Sequence, residues 1–199
     1  MLPAIDQFRA NIAHVRTLIG LGVALTQQTG GTLDVSEIFR SALAMAVSAL
    51  DQFVHERTLE GMLAIFRRAL PATDAYNRFT VRLAAVNVGL ANPGAEAWFA
   101  EEVRELNGTK TFQRPDDIAD AIRLFSNVTL WPSVANHVGE DPGVVRKQLQ
   151  LLCDRRNKIV HEFDAQPGGI GVRWPIDEQI VGSAADFVER VAEAIELLA

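Results

Sequence analysis

The chain has 199 residues, 48% of them hydrophobic, and a formal net charge of −6. That length and apolar content suffice for a real core, with roughly 70% of the extended-chain surface removed on folding, and they exclude a disordered or low-complexity chain. The acidic balance argues against a protein that coats nucleic acid by bulk attraction, while the lone Cys153 leaves no intramolecular disulfide and points to a reducing, cytoplasmic compartment.

Residues 4–24 open with a helical stripe of Ile5, Phe8, Ile12, Val15, Ile19 and Val23. The stretch carries Asp6 and Arg9 and does not read as a signal peptide. His14 lies beside this stripe and reads as structural or exposed. QQTGGT then breaks the helix. Asp34 and Glu37 have capping-box spacing for a second helix over about 35–69. Its first half, Phe39 to Leu50, is apolar nearly all round and rich in Ala and Ser, as expected of a central bundle element. The apolar run at 41–50 is too short to span a bilayer, so no membrane contact is expected. FVHE at 53–56 is echoed by IVHE at 159–162, which is too short to define a repeat; His55 and Glu56 read as a polar flank.

Beyond Pro71 the pattern predicts a short helix over 73–88, a second in AWFAEEVRELN ending near Gly108, and a third beginning around Pro115 to Asp117. Trp131, Pro132 and His137 fall in a less regular section, and 71–140 is the least periodic part of the chain. Asp141-Pro142 is an N-cap followed by proline at the first helical position, opening a helix to about residue 163. A Gly- and Pro-punctuated excursion at 165–177 follows; its GGIG lacks the spacing of a phosphate-binding loop. The last helix, about 177–198, has a clean stripe from Ile180 to Leu198. The expected architecture is one all-α domain spanning residues 1–199, a bundle of long antiparallel helices with a loop-rich middle section.

One stretch breaks the apolar logic. Spacing residues about 100° apart puts Val145, Leu149, Leu152, Cys153, Val160 and Phe163 of the 141–163 helix on one face, with Arg156 in its middle. Asn157 and His161 lie on the margin, and Lys147, Asp154, Arg155, Lys158 and Glu162 on the solvated side. An arginine on an apolar seam is costly unless it is paired or at work. Arginine offers a planar donor fork suited to a phosphodiester, asparagine can orient it, and histidine can move a proton. Together they could cleave RNA without metal or cofactor, through attack of a 2′-OH on the adjacent phosphorus. Arg156 and His161 stand about 140° apart on a regular helix. Either the helix loosens at His161, or a second copy completes the site. The competing explanation is an arginine buried against a carboxylate. No metal site is legible, since His14, His55, His137 and His161 have no standard ligand spacing.

RRNKIVH, residues 155–161, resembles the signature of the HEPN superfamily (higher-eukaryote and prokaryote nucleotide-binding domains): an arginine, usually followed by a polar residue, then a histidine a short way on. Here Arg156, Asn157 and His161 match, with four residues between arginine and histidine. DRRNKIVHEFD, the SALAMAVSALDQFVHE helix and RWPI before a last amphipathic helix are similar to the RiboL-PSP-HEPN group. The resemblance implies an all-helical fold, a homodimer with a composite site, and a metal-independent endoribonuclease in a toxin–antitoxin, phage-defence or RNA-processing setting, with an antitoxin as a further candidate partner. By that resemblance Arg156 and His161 carry catalysis and Asn157 supports it. Arg155 and Lys158 are candidate RNA contacts, although a generic surface role serves Arg155 equally well. Other members bind nucleotides or have lost activity, so a catalytically silent nucleotide-binding or protein-interaction module is the alternative. A purely structural helical adaptor is the third reading.

Overall fold

The architecture grows from α2, Ser36–Phe66, which the near-continuous apolar run places at the centre. A computed structural model describes residues 2–92, 94–168 and 171–199. Within α2, Ala42, Leu43, Ala46, Val47, Ala49 and Leu50 are all buried, and Glu37, Ser41, Met45 and Ser48 form a narrow solvent stripe. The small side chains let neighbours approach closely, as expected for a helix packed on most of its circumference. α1, Ala4–Gln28, folds back on α2 as an antiparallel hairpin, with Phe8 against Phe53 and Asn11 donating to Gln52. The terminal α9, Glu178–Leu198, closes the layer by laying Val181, Ala185, Val188, Val191 and Ile195 into the same core. Arg9 to Glu193 and Arg16 to Asp186 stitch its outer edge to α1.

The middle section is more helical than its sequence suggests. The single helix expected over 73–88 is two short ones, α3, Asp74–Asn77, and α4, Leu83–Ala91. The break is caused by Arg82, whose backbone N–H and guanidinium both donate to the buried carboxylate of Glu102 (2.7 and 3.0 Å). That docking holds residues 78–82 non-helical, and Phe79 and Val81 join a satellite apolar cluster around Leu59, Met62, Phe99 and Val103. α5, Ala97–Asn107, supplies Phe99 and Val103 and ends where expected. α6, Pro115–Arg123, has its proline at the first turn. The less regular section at Trp131-Pro132 is instead a helix, α7, Leu130–Val138. Proline is harmless there because first-turn N–H groups need no intrahelical partner, and Gly139 closes the helix at φ 75°.

α8, Pro142–Glu162, is capped as read: Asp141 accepts from the N–H groups of Gly143 and Val144. At α2 the capping box does not form. Asp34 accepts from Ser36 N–H (2.9 Å), while Glu37 turns away to Arg40 and Arg173. The 165–177 excursion is pinned by an isolated bridge between Ala165 and Arg173; Gly169 and Ile170 of its GGIG segment lie outside the described residues. Among the described residues there is no strand beyond that bridge, and no helix is long and apolar enough to cross a membrane.

Gly61 tests how tightly α2 is packed. A Cβ there would fall within the ring of Phe125, just beyond α6, in the main core. Alanine gains about 1 kcal/mol in helix propensity, but overpacking of this kind costs about 1–3 kcal/mol, and the clash is with a ring buried on its other side. Gly61→Ala is therefore expected to lower stability in urea unfolding despite its better propensity.

Candidate functional site

The end of α8 is organised by a charge cluster centred on Asp164. This carboxylate is 0% exposed, and its Oδ2 accepts from Arg40 Nε (3.0 Å) and Arg155 NH2 (2.7 Å). Both guanidiniums also donate to the backbone carbonyl of Trp174 (2.8 and 3.3 Å), and Arg155 donates to that of Pro175 (3.1 Å). The Trp174 N–H donates back to the Asp164 carbonyl (3.0 Å). α2, α8 and the excursion are thus tied at one point. Among the described residues all donors converge on one oxygen, and Oδ1 accepts no hydrogen bond. The chain reaches this point through two consecutive left-handed residues, Phe163 (φ 52°) and Asp164 (φ 57°). An aspartate tolerates that region readily, because its short polar side chain can bond locally; for phenylalanine it is an outlier held in place by its surroundings.

This arrangement corrects the angular reading of α8. Val145, Leu149 and Cys153 are buried as expected, but Val160 is 49% and Phe163 74% exposed. Ile159 packs on the core instead, beside Leu152. The seam rotates along the helix, from the Val145–Leu149–Cys153 row to one that runs through Leu152, Arg155 and Ile159. Consequently Arg155, expected on the solvated side, is the arginine spent on a buried carboxylate. Arg156, expected in the middle of the packing face, is half-buried and makes no ion pair among the described residues.

Of the candidate catalytic residues, Arg156 and Asn157 are half-buried on α8. Arg156 NH1 donates to Asn157 Oδ1 (3.1 Å), and its buried Nε has no partner among the described residues. His161 is exposed in the last turn, where the negative end of the helix dipole lies. The helix stays regular through Glu162, so it does not loosen at His161, and Arg156 and His161 keep their angular separation. Asn157 and Lys158 line a groove of about 650 Å³ with Arg114, Leu151, Asp154, Arg155, Glu162 and Trp174. Arg156 and His161 are not among its lining residues. Among the described residues, Arg114, Arg156 and Lys158 make no ion pair; Lys158 Nζ lies 5.8 Å from the Trp174 ring centroid.

The remaining histidines are elsewhere. His14 and His137 are exposed. His55 packs at a tilt against Phe112 (ring centroids 4.4 Å apart) and stands 3.6 Å from Asp51, whose oxygens accept from Phe112 N–H and Gln113 Nε2 (2.6 and 3.0 Å). Among the described residues no three His, Cys, Asp or Glu side chains converge in a way that could hold a metal ion. Comparison with protein-family models, curated proteins and solved structures found no match to this chain.

Sequence reasoning missed Arg40 at this end of the molecule, and with it the joining of Arg40, Arg155, Asp164 and the Trp174 carbonyl. The available signal was Arg40, a permanent charge directly after Phe39 at the head of an otherwise apolar helix, which required a partner from elsewhere in the chain.

Two outcomes follow from this geometry. Asp164→Ala leaves two guanidiniums facing each other without their carboxylate, and stability should fall by about 3–5 kcal/mol in urea titration; Asp164→Asn should lose less. Cys153 is buried with its Sγ on the Gln113 carbonyl, and burial pushes its thiol up to about 12. A thiol reagent at neutral pH should label it only after denaturation, because the thiolate is the reactive form.

Proposed function

We propose that this protein is a metal-independent endoribonuclease of HEPN type, whose cleavage site uses Arg156 and His161, supported by Asn157, and is completed by a second copy of the chain. The observation that carries this reading is Arg156, half-buried and bonded to Asn157, with no carboxylate among the described residues to neutralise it. An arginine committed to the fold would have taken Asp164, but Arg155 and Arg40 hold that carboxylate.

In the proposed reaction a histidine removes the proton of a ribose 2′-OH. The oxygen attacks the adjacent phosphorus, and the bond to the 5′-oxygen breaks. That leaving oxygen takes a proton from a second acid, and the guanidinium of Arg156 stabilises the negative charge gathering on the phosphoryl oxygens. The products are a 2′,3′-cyclic phosphate and a 5′-OH end. DNA, which lacks the internal nucleophile, is inert.

A second copy enters for two reasons. A regular helix keeps Arg156 and His161 about 140° apart, so one chain does not bring both to one phosphorus. Val160 and Phe163 also offer apolar surface beside them that an isologous twofold contact would bury. A homodimer would bring two Arg156 and two His161 side chains to one cleft, with one histidine as base and the other as acid. A toxin–antitoxin or phage-defence role in the cytoplasm, with an antitoxin covering this face, fits such an enzyme. The alternative, a silent nucleotide-binding or protein-interaction module, is favoured by one observation: Asp154 and Glu162 line the groove next to the site.

With purified protein and a mixed RNA substrate, His161→Ala should lower cleavage by about a hundredfold to ten-thousandfold. Chelation should leave the wild-type rate unchanged, and a 2′-deoxy nucleotide at the scissile position should block it. Phe163→Glu should yield monomers by sedimentation and abolish cleavage. Wild-type rates in the His161 variant would overturn the assignment.

A further inference from the structure

The groove beside α8 has features that phosphodiester cleavage does not require. Trp174 is 37% exposed within it, yet its backbone is immobilised at both ends, the N–H on Asp164 and the carbonyl on Arg40 and Arg155. An aromatic plane on a rigid backbone is a stacking platform. Lys158, over the ring, and the exposed Arg114 bring to the same groove two cations that have no carboxylate partner among the described residues. Two carboxylates, Asp154 and Glu162, line it as well. A channel for phosphates alone would be weakened by those anions. Carboxylates are, however, the natural acceptors for the amino and imino groups on base edges. Asp154 already accepts from Gln150 (2.8 Å), whereas the Glu162 carboxylate has no partner among the described residues.

We propose that this groove is a nucleobase subsite, in which an unpaired base stacks on Trp174, Glu162 accepts from its amino edge, and Lys158 and Arg114 hold the flanking phosphates. Aromatic platforms bind any base through its π face, so stacking supplies affinity and the edge contact supplies preference. Cytosine, adenine and guanine present amino donors to Glu162. Uracil presents two carbonyl oxygens around a single N–H and is disfavoured. The cation of Lys158 exchanges the ring face for a phosphate as the base enters. Asn157 connects the subsite to the chemistry, because it lines the groove and holds Arg156. The base in the groove therefore selects which neighbouring phosphodiester meets Arg156. The identity of the polymer rests on the ribonuclease reading; the stacking and edge contacts do not.

The test uses fluorescein-labelled 2′-O-methyl hexanucleotides of cytidine, adenosine and uridine, which cannot supply the nucleophile, so that binding is read without cleavage. By anisotropy, the cytidine and adenosine oligomers should bind the full-length protein several-fold more tightly than the uridine oligomer. Trp174→Ala should weaken all three about tenfold, and Trp174→Phe should keep most of the affinity. Glu162→Gln should erase the preference among bases. Lys158→Ala and Arg114→Ala should each reduce the slope of log affinity against log salt by about 0.7. Circular dichroism establishes that each variant is folded; if Trp174→Ala is not, Trp174→Phe and Glu162→Gln decide. Equal binding of uridine and cytidine oligomers, or wild-type affinity in a folded Trp174→Ala variant, overturns the subsite. If the wild type cleaves no RNA while these variants lose binding, the ribonuclease reading fails and the subsite stands. If His161-dependent cleavage holds while Trp174→Ala binds normally, only the subsite fails.

Discussion

Two guanidiniums share one buried oxygen of Asp164, and the position of every functional candidate depends on that contact. Removing three charges from water is offset only when they face one another with well-directed hydrogen bonds. Here the cluster also collects the carbonyls of Trp174 and Pro175, so the desolvated donors have more than one acceptor. The cluster joins the head of α2, the tail of α8 and the returning excursion. It anchors the end of α8, the stretch that carries Asn157 and His161. The strained phenylalanine at the helix end is a local cost of reaching this geometry.

Much of the bundle was legible because α1 and α9 each bury a stripe whose period is that of the helix, and α2 is apolar around most of its circumference. α8 began and ended where Asp141-Pro142 and the glycine-rich excursion placed it. What was not legible depended on contacts distant in sequence. Arg82 splits a helical pattern only because Glu102 receives it, and no local signal in residues 73–88 announces that. α7 was hidden by a proline that is disruptive mid-helix and neutral in a first turn; Gly139 was the cue to weigh against it. At the candidate site, helical arithmetic assumed that α8 presents one line of residues to the core throughout. The row it buries shifts instead from Cys153 to Leu152 and Ile159, and Arg155 rather than Arg156 is the arginine paired with a buried carboxylate. Residue types were readable there, and their partners were not.

Charge is distributed unevenly for an acidic chain. Along α1 and α9 the arginines are consumed by acids across the helix interface, as in Arg9 with Glu193 and Arg16 with Glu189. Exposed pairs of that sort contribute little to stability individually, but they cancel positive potential on that side. Around the tail of α8 the cancellation is incomplete, because Arg114, Arg156 and Lys158 are left over among the described residues. A modest overall negative charge is thus compatible with a few unpaired cations at one place, here set beside the carboxylates of Asp154 and Glu162.

At Trp174 the molecule separates two duties that usually compete within one residue. The main chain of that position is what the buried arginines grip, whereas the indole contributes nothing to the grip. Replacement of the side chain therefore leaves the anchoring bonds chemically intact. Such a position can change its side chain without asking the bundle to refold around each change.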